Sequence, residues 1–211
     1  MFIIDFDDTL FDTQNFKKEL AYSLKNIGVD EKLFWQTYKE ARMLPDRNFS
    51  YSFERHADIL EKKNFNKKQI LENLNEVKSK IKKFLFPDTK IFLEYLQSFH
   101  QELHLLSLGD KDFQEIKVNN CEIEKYFDQL FFLGKLKEMV VKEISEGRQQ
   151  EKIFFIDDKI EEALQIKRFF PNMQIILKQS QNFSEEEYKK SGLKYFKTLT
   201  EIKEYVTSKL K

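Results

Sequence analysis

Three carboxylates fall within four residues, at Asp5, Asp7 and Asp8, directly behind the apolar run Met1-Phe2-Ile3-Ile4. An apolar run of that length that ends in a polar break reads as a buried strand, which puts the acids at its carboxyl end. Anions crowded there repel one another unless a cation joins them. A second acidic pair, Asp157-Asp158, closes another apolar run, Ile153-Phe154-Phe155-Ile156, and Glu161 and Glu162 follow. One aspartate is enough to cap the next helix, so a pair favours a metal site. The carboxyl edge of a parallel sheet is where open α/β folds hold their ligands. The chemistry these residues offer is oxygen ligation of a divalent cation.

The elements around these acids follow from hydrophobic period. Phe16, Leu20, Leu24 and Ile27 form a helical stripe, with Asp12 or Thr13 as N-cap and Gly28 as a stop signal. Further helices are expected over 31–43, 50–62 and 67–84, with a turn at Pro45-Asp46-Arg47-Asn48. No strand pattern interrupts this block. After Pro87-Asp88 the chain alternates. Strands are expected at 102–108, 129–133, 152–156 and 173–177, with an edge strand at Tyr195-Phe196. Helices are expected at 89–99, 112–120, 136–146, 160–169, 184–190 and 200–210. Such alternation predicts an α/β fold: a Rossmann-like parallel sheet flanked by helices, with an inserted all-helical segment. The division expected is a core of residues 1–13 and 86–211 and a helical cap of residues 14–85.

The run Asp5-Phe6-Asp7-Asp8-Thr9-Leu10-Phe11-Asp12-Thr13 resembles the first motif, D-x-D-x-T, of the haloacid dehalogenase-like (HAD) superfamily. Asp8 stands where that family often has glycine. Leu105-Leu106-Ser107-Leu108-Gly109-Asp110 resembles its second motif, a hydroxyl at a strand end that donates to a phosphoryl oxygen, with N–H groups of the next turn adding to it. The third motif is a lysine near a helix start. Lys135, directly after Gly134 and the strand Phe131-Phe132-Leu133, fits by position, and Lys137 is the alternative. Asp157-Asp158 resembles the fourth motif. The helical segment lies where the family inserts its C1 cap.

The resemblance implies a Mg²⁺-dependent phosphatase acting on a small phosphorylated metabolite. Asp5 would attack phosphorus to give an aspartyl-phosphate, and Asp7 would serve as acid and then base. Thr9 would orient Asp7 or steady its loop. Ser107, Gly109 and Lys135 would bind the phosphoryl group. Asp5, the main-chain carbonyl of Asp7, and Asp157 would hold Mg²⁺, with Asp158 behind them. Substrate choice would lie in the cap. A phosphomutase, a dehalogenase or a non-catalytic protein of the same fold are the rival readings. A dehalogenase needs neither the metal nor Asp7, and a non-catalytic relative would be expected to have lost Asp5 or Asp7.

Composition narrows the field further. Of 211 residues, Lys+Arg and Asp+Glu balance at 36 each, which gives no reason to expect nucleic-acid binding. No apolar run approaches the ~18 residues that span a membrane. A chain that opens on a strand with acids within five residues is expected to carry no secretory leader. Its single cysteine, Cys121, cannot form an internal disulfide, so a cytoplasmic setting is expected. Cys121, His56, His100 and His104 show no metal spacing and read as structural.

Overall fold

The first apolar run forms β1 (Phe2–Ile4), buried at every position. Its side chains alternate across a sheet, Phe2 and Ile4 to one face and Ile3 to the other, and each face carries its own apolar core. The computed structural model describes residues 1–43, 50–134, 136–148 and 150–210. The turn expected at 45–48 lies outside the described residues.

After β1 come α1 (Thr13–Lys25), α2 (Glu31–Arg42), α3 (Phe53–Glu61) and α4 (Lys67–Ser79), then a 3₁₀ turn at Ile81–Phe84. Asp12, Asp30, Ser52 and Asn66 each accept a backbone N–H as N-caps of these helices. One long helix was expected over 67–84; the structure breaks it at Lys80. The break turns both Ile81 and Phe84 inward, where Phe84 meets Phe11 and Phe16 edge-on at 6.0 and 5.3 Å. The four helices pack on one another, α1 against α2 and α4, and α3 against α2 and α4.

The rest alternates: α5 (Thr89–Gln97), β2 (Leu103–Leu108), α6 (Lys111–Asn120), β3 (Gln129–Leu133), α7 (Lys137–Ser145), β4 (Phe154–Asp157), α8 (Ile160–Phe169), β5 (Gln174–Lys178), α9 (Glu185–Ser191), β6 (Lys194–Phe196) and α10 (Leu199–Leu210). The six strands form one sheet in the order β3-β2-β1-β4-β5-β6, and every pairing is parallel. Apolar residues of α5, α6 and α10 join the core on the Phe2 face, and those of α7, α8 and α9 the core on the Ile3 face. This is the Rossmann-like α/β fold the alternation predicts. The core on the Phe2 face runs on without interruption into the helical block, through Phe11, Phe16 and Leu20 to Phe34 and Ile70. Among the described residues no helix is long and apolar enough to cross a membrane.

Candidate active site

Sheet register brings the acids together. Ile3 lies opposite Phe155 in the parallel pair β1–β4. Two residues further on, Asp5 and Asp157 therefore stand side by side on the face covered by α7 and α8. Carboxylate oxygens of Asp5, Asp157 and Asp158 all lie within 4.8 Å of one another, and all three residues are buried. The first residue of α7, Lys137, reaches between two of them. Its Nζ donates to Asp5 Oδ1 at 2.7 Å and to Asp157 Oδ2 at 2.6 Å, and lies 2.8 Å from Glu162 Oε2 in the first turn of α8. A lysine opposes the helix dipole at that position, and the acids are what hold it there.

Each charge shows the strain of this burial. Asp5 is pushed up to about 7 by loss of water, against the pull of Lys137. Burial raises Asp157 as well, again with Lys137 opposing. Asp158 is raised well above the carboxylate range by burial and then by its acidic neighbours Asp157, Asp5 and Asp8. Burial alone would lower Lys137, yet Asp157, Asp5 and Glu162 keep it well above its ordinary value. Thr9 Oγ1 donates to the other Asp5 oxygen at 3.1 Å, and the Lys159 N–H donates to Asp157 Oδ1 at 2.9 Å. The Asp158 Oδ1 atom is buried without a hydrogen-bond partner among the described residues. An orphaned carboxylate oxygen, beside two further acids that share one lysine, is a donor set that fits Mg²⁺.

Asp7 is in a different setting. Behind β1 the chain folds back, Leu10 N–H donating to Phe6 C=O at 2.9 Å, and Asp8 takes a left-handed φ of 61°. Glycine adopts that conformation freely and aspartate tolerates it, so Asp8 can occupy a glycine position. The turn aims Asp7 at α6. Its oxygens accept from Thr13 Oγ1, Gln114 Nε2 and Lys117 Nζ. Lys117 is 2% exposed and lies 5.0 and 4.9 Å above the rings of Phe6 and Phe11. Burial would raise the Asp7 carboxyl, but Lys117 and the bonds from Gln114, Lys117 and Thr13 hold it well below the usual range.

Several expectations change in detail. The lysine brought to the carboxylates is Lys137, the second choice by position; Lys135 lies outside the described residues. Lys137 is the first residue of α7, and its ammonium meets Asp5 there. Thr9 is fully buried and holds Asp5, while the contact to Asp7 comes from Thr13. Ser107 ends β2 as expected and its Oγ accepts from Gln114 Nε2 at 3.1 Å. Gly109 donates its N–H to Leu133 C=O at 2.8 Å, so that donor is already engaged. Its φ of 150° and the Gln114 amide, 2.8 Å from where a Cβ would sit, are what require glycine there. Asp158, expected behind Asp157, carries the free oxygen. Lys117, Gln114 and Glu162 were assigned no role from sequence; two polar residues three apart on α6, beside apolar Phe113 and Val118, are the faint signal they leave. Cys121 is buried with its thiol pushed up to about 12 by burial, consistent with a structural role.

A comparison with protein-family models finds no match, and one with curated proteins finds none. Solved structures do match in fold. A protein from Burkholderia xenovorans LB400 assigned as a haloacid dehalogenase-like hydrolase aligns with a TM-score of 0.77 over 100% of this chain and 97% of that one, at 16% identity. One from Thermotoga maritima assigned as a beta-phosphoglucomutase gives 0.66 over 98% of each chain at 19% identity. A HAD hydrolase from Bacillus subtilis, bound to magnesium, gives 0.58 over 95% of each at 14% identity. The chain has the fold of the HAD-like hydrolases.

Proposed function

We propose that the protein is a Mg²⁺-dependent phosphatase that hydrolyses a small phosphomonoester through an aspartyl-phosphate on Asp5. The observation that carries this reading is the setting of Asp5. Thr9 holds one of its oxygens and Lys137 the other; Asp158 brings a carboxylate oxygen within 4.8 Å of those of Asp5 and Asp157, and its Oδ1 has no hydrogen-bond partner among the described residues. Asp5, Asp157 and Asp158 would hold the metal, which when bound neutralises the acids and the incoming phosphoryl oxygens. Asp5 attacks phosphorus, forming one P–O bond as the ester P–O bond breaks. Ser107, whose Oγ shares the Gln114 amide with Asp7, would orient the transferred group. Water then attacks the aspartyl-phosphate, and Asp7, held ionised, accepts its proton. The earlier donation of a proton by Asp7 to the leaving oxygen is opposed by its pairing with Lys117. This favours leaving groups that depart readily as anions. The helical block 14–85 acts as the cap: Tyr38 of α2 and Lys17 of α1 line the cavity over Asp5 and Asp7.

A dehalogenase would need neither the Asp7 cluster nor the free Asp158 oxygen. Both features therefore support phosphoryl chemistry. With an aryl phosphate and Mg²⁺ the protein should release phosphate, and EDTA should abolish the release. Asp5→Asn should lose at least about a thousandfold in rate, as expected for removal of a covalent nucleophile. Full activity in that variant would remove Asp5 from the reaction, and the absence of turnover across a broad panel of phosphate esters would count against a phosphatase altogether.

A further inference from the structure

Asp158 differs from its two partners in how it is held. Asp5 and Asp157 share the Lys137 ammonium, and each has a second donor on its other oxygen, Thr9 for Asp5 and the Lys159 N–H for Asp157. Among the described residues the Asp158 carboxylate has a single donor, Asn182 Nδ2, which lies 3.2 Å from Oδ2. A carboxylate turns readily about its Cβ–Cγ bond, so this one amide decides where the two oxygens lie. Being neutral, it directs the acid and leaves its negative charge for a cation, which a lysine in the same place would not.

Asn182 comes from the loop between β5 and α9, outside every segment that resembles a family motif. That loop is fastened at both ends. Ser184 closes it with a capping box to Glu187. The fully buried Tyr188 of α9 accepts from the Ser180 N–H at 3.0 Å and donates to the main-chain carbonyl of Asp158 at 3.0 Å. The Asn182 amide is itself oriented. Its Oδ1 accepts from Gln14 Nε2 of α1 at 3.1 Å, and its Nδ2 also donates to Asp8 Oδ2 at 2.9 Å. A flipped amide would set its oxygen against two carboxylates, so the neighbours fix which end is which. Asp8 is buried and accepts from Gln14 as well, at 2.6 Å. The aspartate at the motif's glycine position therefore anchors the residue that holds Asp158.

We propose that Asn182 is a positioning residue for magnesium: braced by Asp8 and Gln14, it holds the Asp158 carboxylate by Oδ2, leaves Oδ1 to ligate the ion, and so sets the Mg²⁺ concentration at which the protein works. This inference rests on the phosphatase reading for the metal at Asp5, Asp157 and Asp158. Partners that orient a ligand carboxylate contribute to metal affinity without touching the metal. The chain of bonds also gives α1 a part in that affinity, because Gln14 braces both Asp8 and Asn182.

The test is Mg²⁺ titrated calorimetrically into the full chain, with no substrate and no phosphate in the buffer. Asn182→Ala should weaken binding by about tenfold. Gln181→Ala, one place earlier on the same exposed loop, should leave it unchanged. Asn182 is itself exposed, so the ligand-free variant should melt with the native protein. The rise in melting temperature that Mg²⁺ brings should then need about tenfold more of the ion. With an aryl phosphate, the variant should regain the native rate once Mg²⁺ is raised by the same factor, a change in metal requirement and not in kcat. Native affinity in Asn182→Ala, an equal loss in Gln181→Ala, or a rate that stays low at every Mg²⁺ concentration overturns the proposal, as does a native protein that binds no Mg²⁺. If Mg²⁺ binding weakens as stated while no phosphate ester is cleaved, the role of Asn182 stands and the phosphatase reading falls.

Discussion

Asp7 and Lys117 set the proton chemistry of the cavity. A carboxylate well below its usual range is a weak base that stays available at low pH, and a poor acid at neutral pH. Lys117→Met removes the ammonium and its hydrogen bond but keeps a stem of similar length. Burial then dominates, and the Asp7 carboxyl rises. The acid limb of the kcat/KM profile for an aryl phosphate should move to higher pH, by about one unit or more. An unmoved limb would assign the titration to another group. Single residues were unevenly legible in the sequence. Asp5 and Asp157 could be read because acids directly after an apolar strand are costly without a partner. Lys117 could not, because one lysine among 36 Lys+Arg on a charged helix looks like any solvated position. Its burial comes from the turn at Phe6 to Phe11, which swings two rings beneath it.

At the scale of elements, α2 and α3 are joined by a buried histidine. His56 Nε2 lies 2.9 Å from Thr37 Oγ1 and Nδ1 2.9 Å from Tyr51 OH. Thr37 Oγ1 also bonds to the Leu33 carbonyl at 2.9 Å, so its proton is committed there and the His56 Nε2–H donates to it. Burial lowers His56 from 6.5 to about 4. A folded pKa below the unfolded one means that the unfolded chain binds more protons across this window. Stability is then complete above about pH 6.5 and declines as pH falls towards 4, by about 3 kcal/mol in all. Denaturant unfolding at pH 7 and pH 4.5 should show the decline in the native protein and a shallower one in His56→Gln. Equal slopes would deny His56 the effect. Helix and strand positions were largely legible here, since a cap such as Asp12 and stripes such as Phe16-Leu20-Leu24 are local signals. The break in α4 at Lys80 was not legible. It answers to Phe11 and Phe16, rings that the chain places more than sixty residues earlier.

For the whole molecule, the governing fact is that one apolar core runs from the sheet into the helical block. Asp110 adds a polar tie: it caps α6, accepts from Ser50 Oγ, and lies 4.0 Å from Arg55 of α3. Sheet and helices should therefore unfold together. Thermal melting followed by far-ultraviolet circular dichroism and by fluorescence of Trp35, which is on α2, should give coincident transitions. An earlier loss of the Trp35 signal would mean that the helical block melts alone. The parallel sheet followed from the alternation of strands and helices, whereas the order of its strands did not. The shared core did not either, because a contiguous helical segment looks the same in sequence whether or not it packs on its host.

The central place of β1 bears on how the protein is born. Phe2 pairs with Leu103 on one side and Phe154 on the other, so the strand waits for partners that the ribosome adds roughly 100 and 150 residues later. Until then its buried faces have nothing to cover them. The helices of the 14–85 block can form during that interval from local signals alone, and they carry the rings that later close over Phe11. The carboxylate cluster, with one acid from β1 and two from the end of β4, comes into being only after the chain has passed residue 158. A chain stalled before β4 would hold one acid of the three and a first strand with one edge still unpaired.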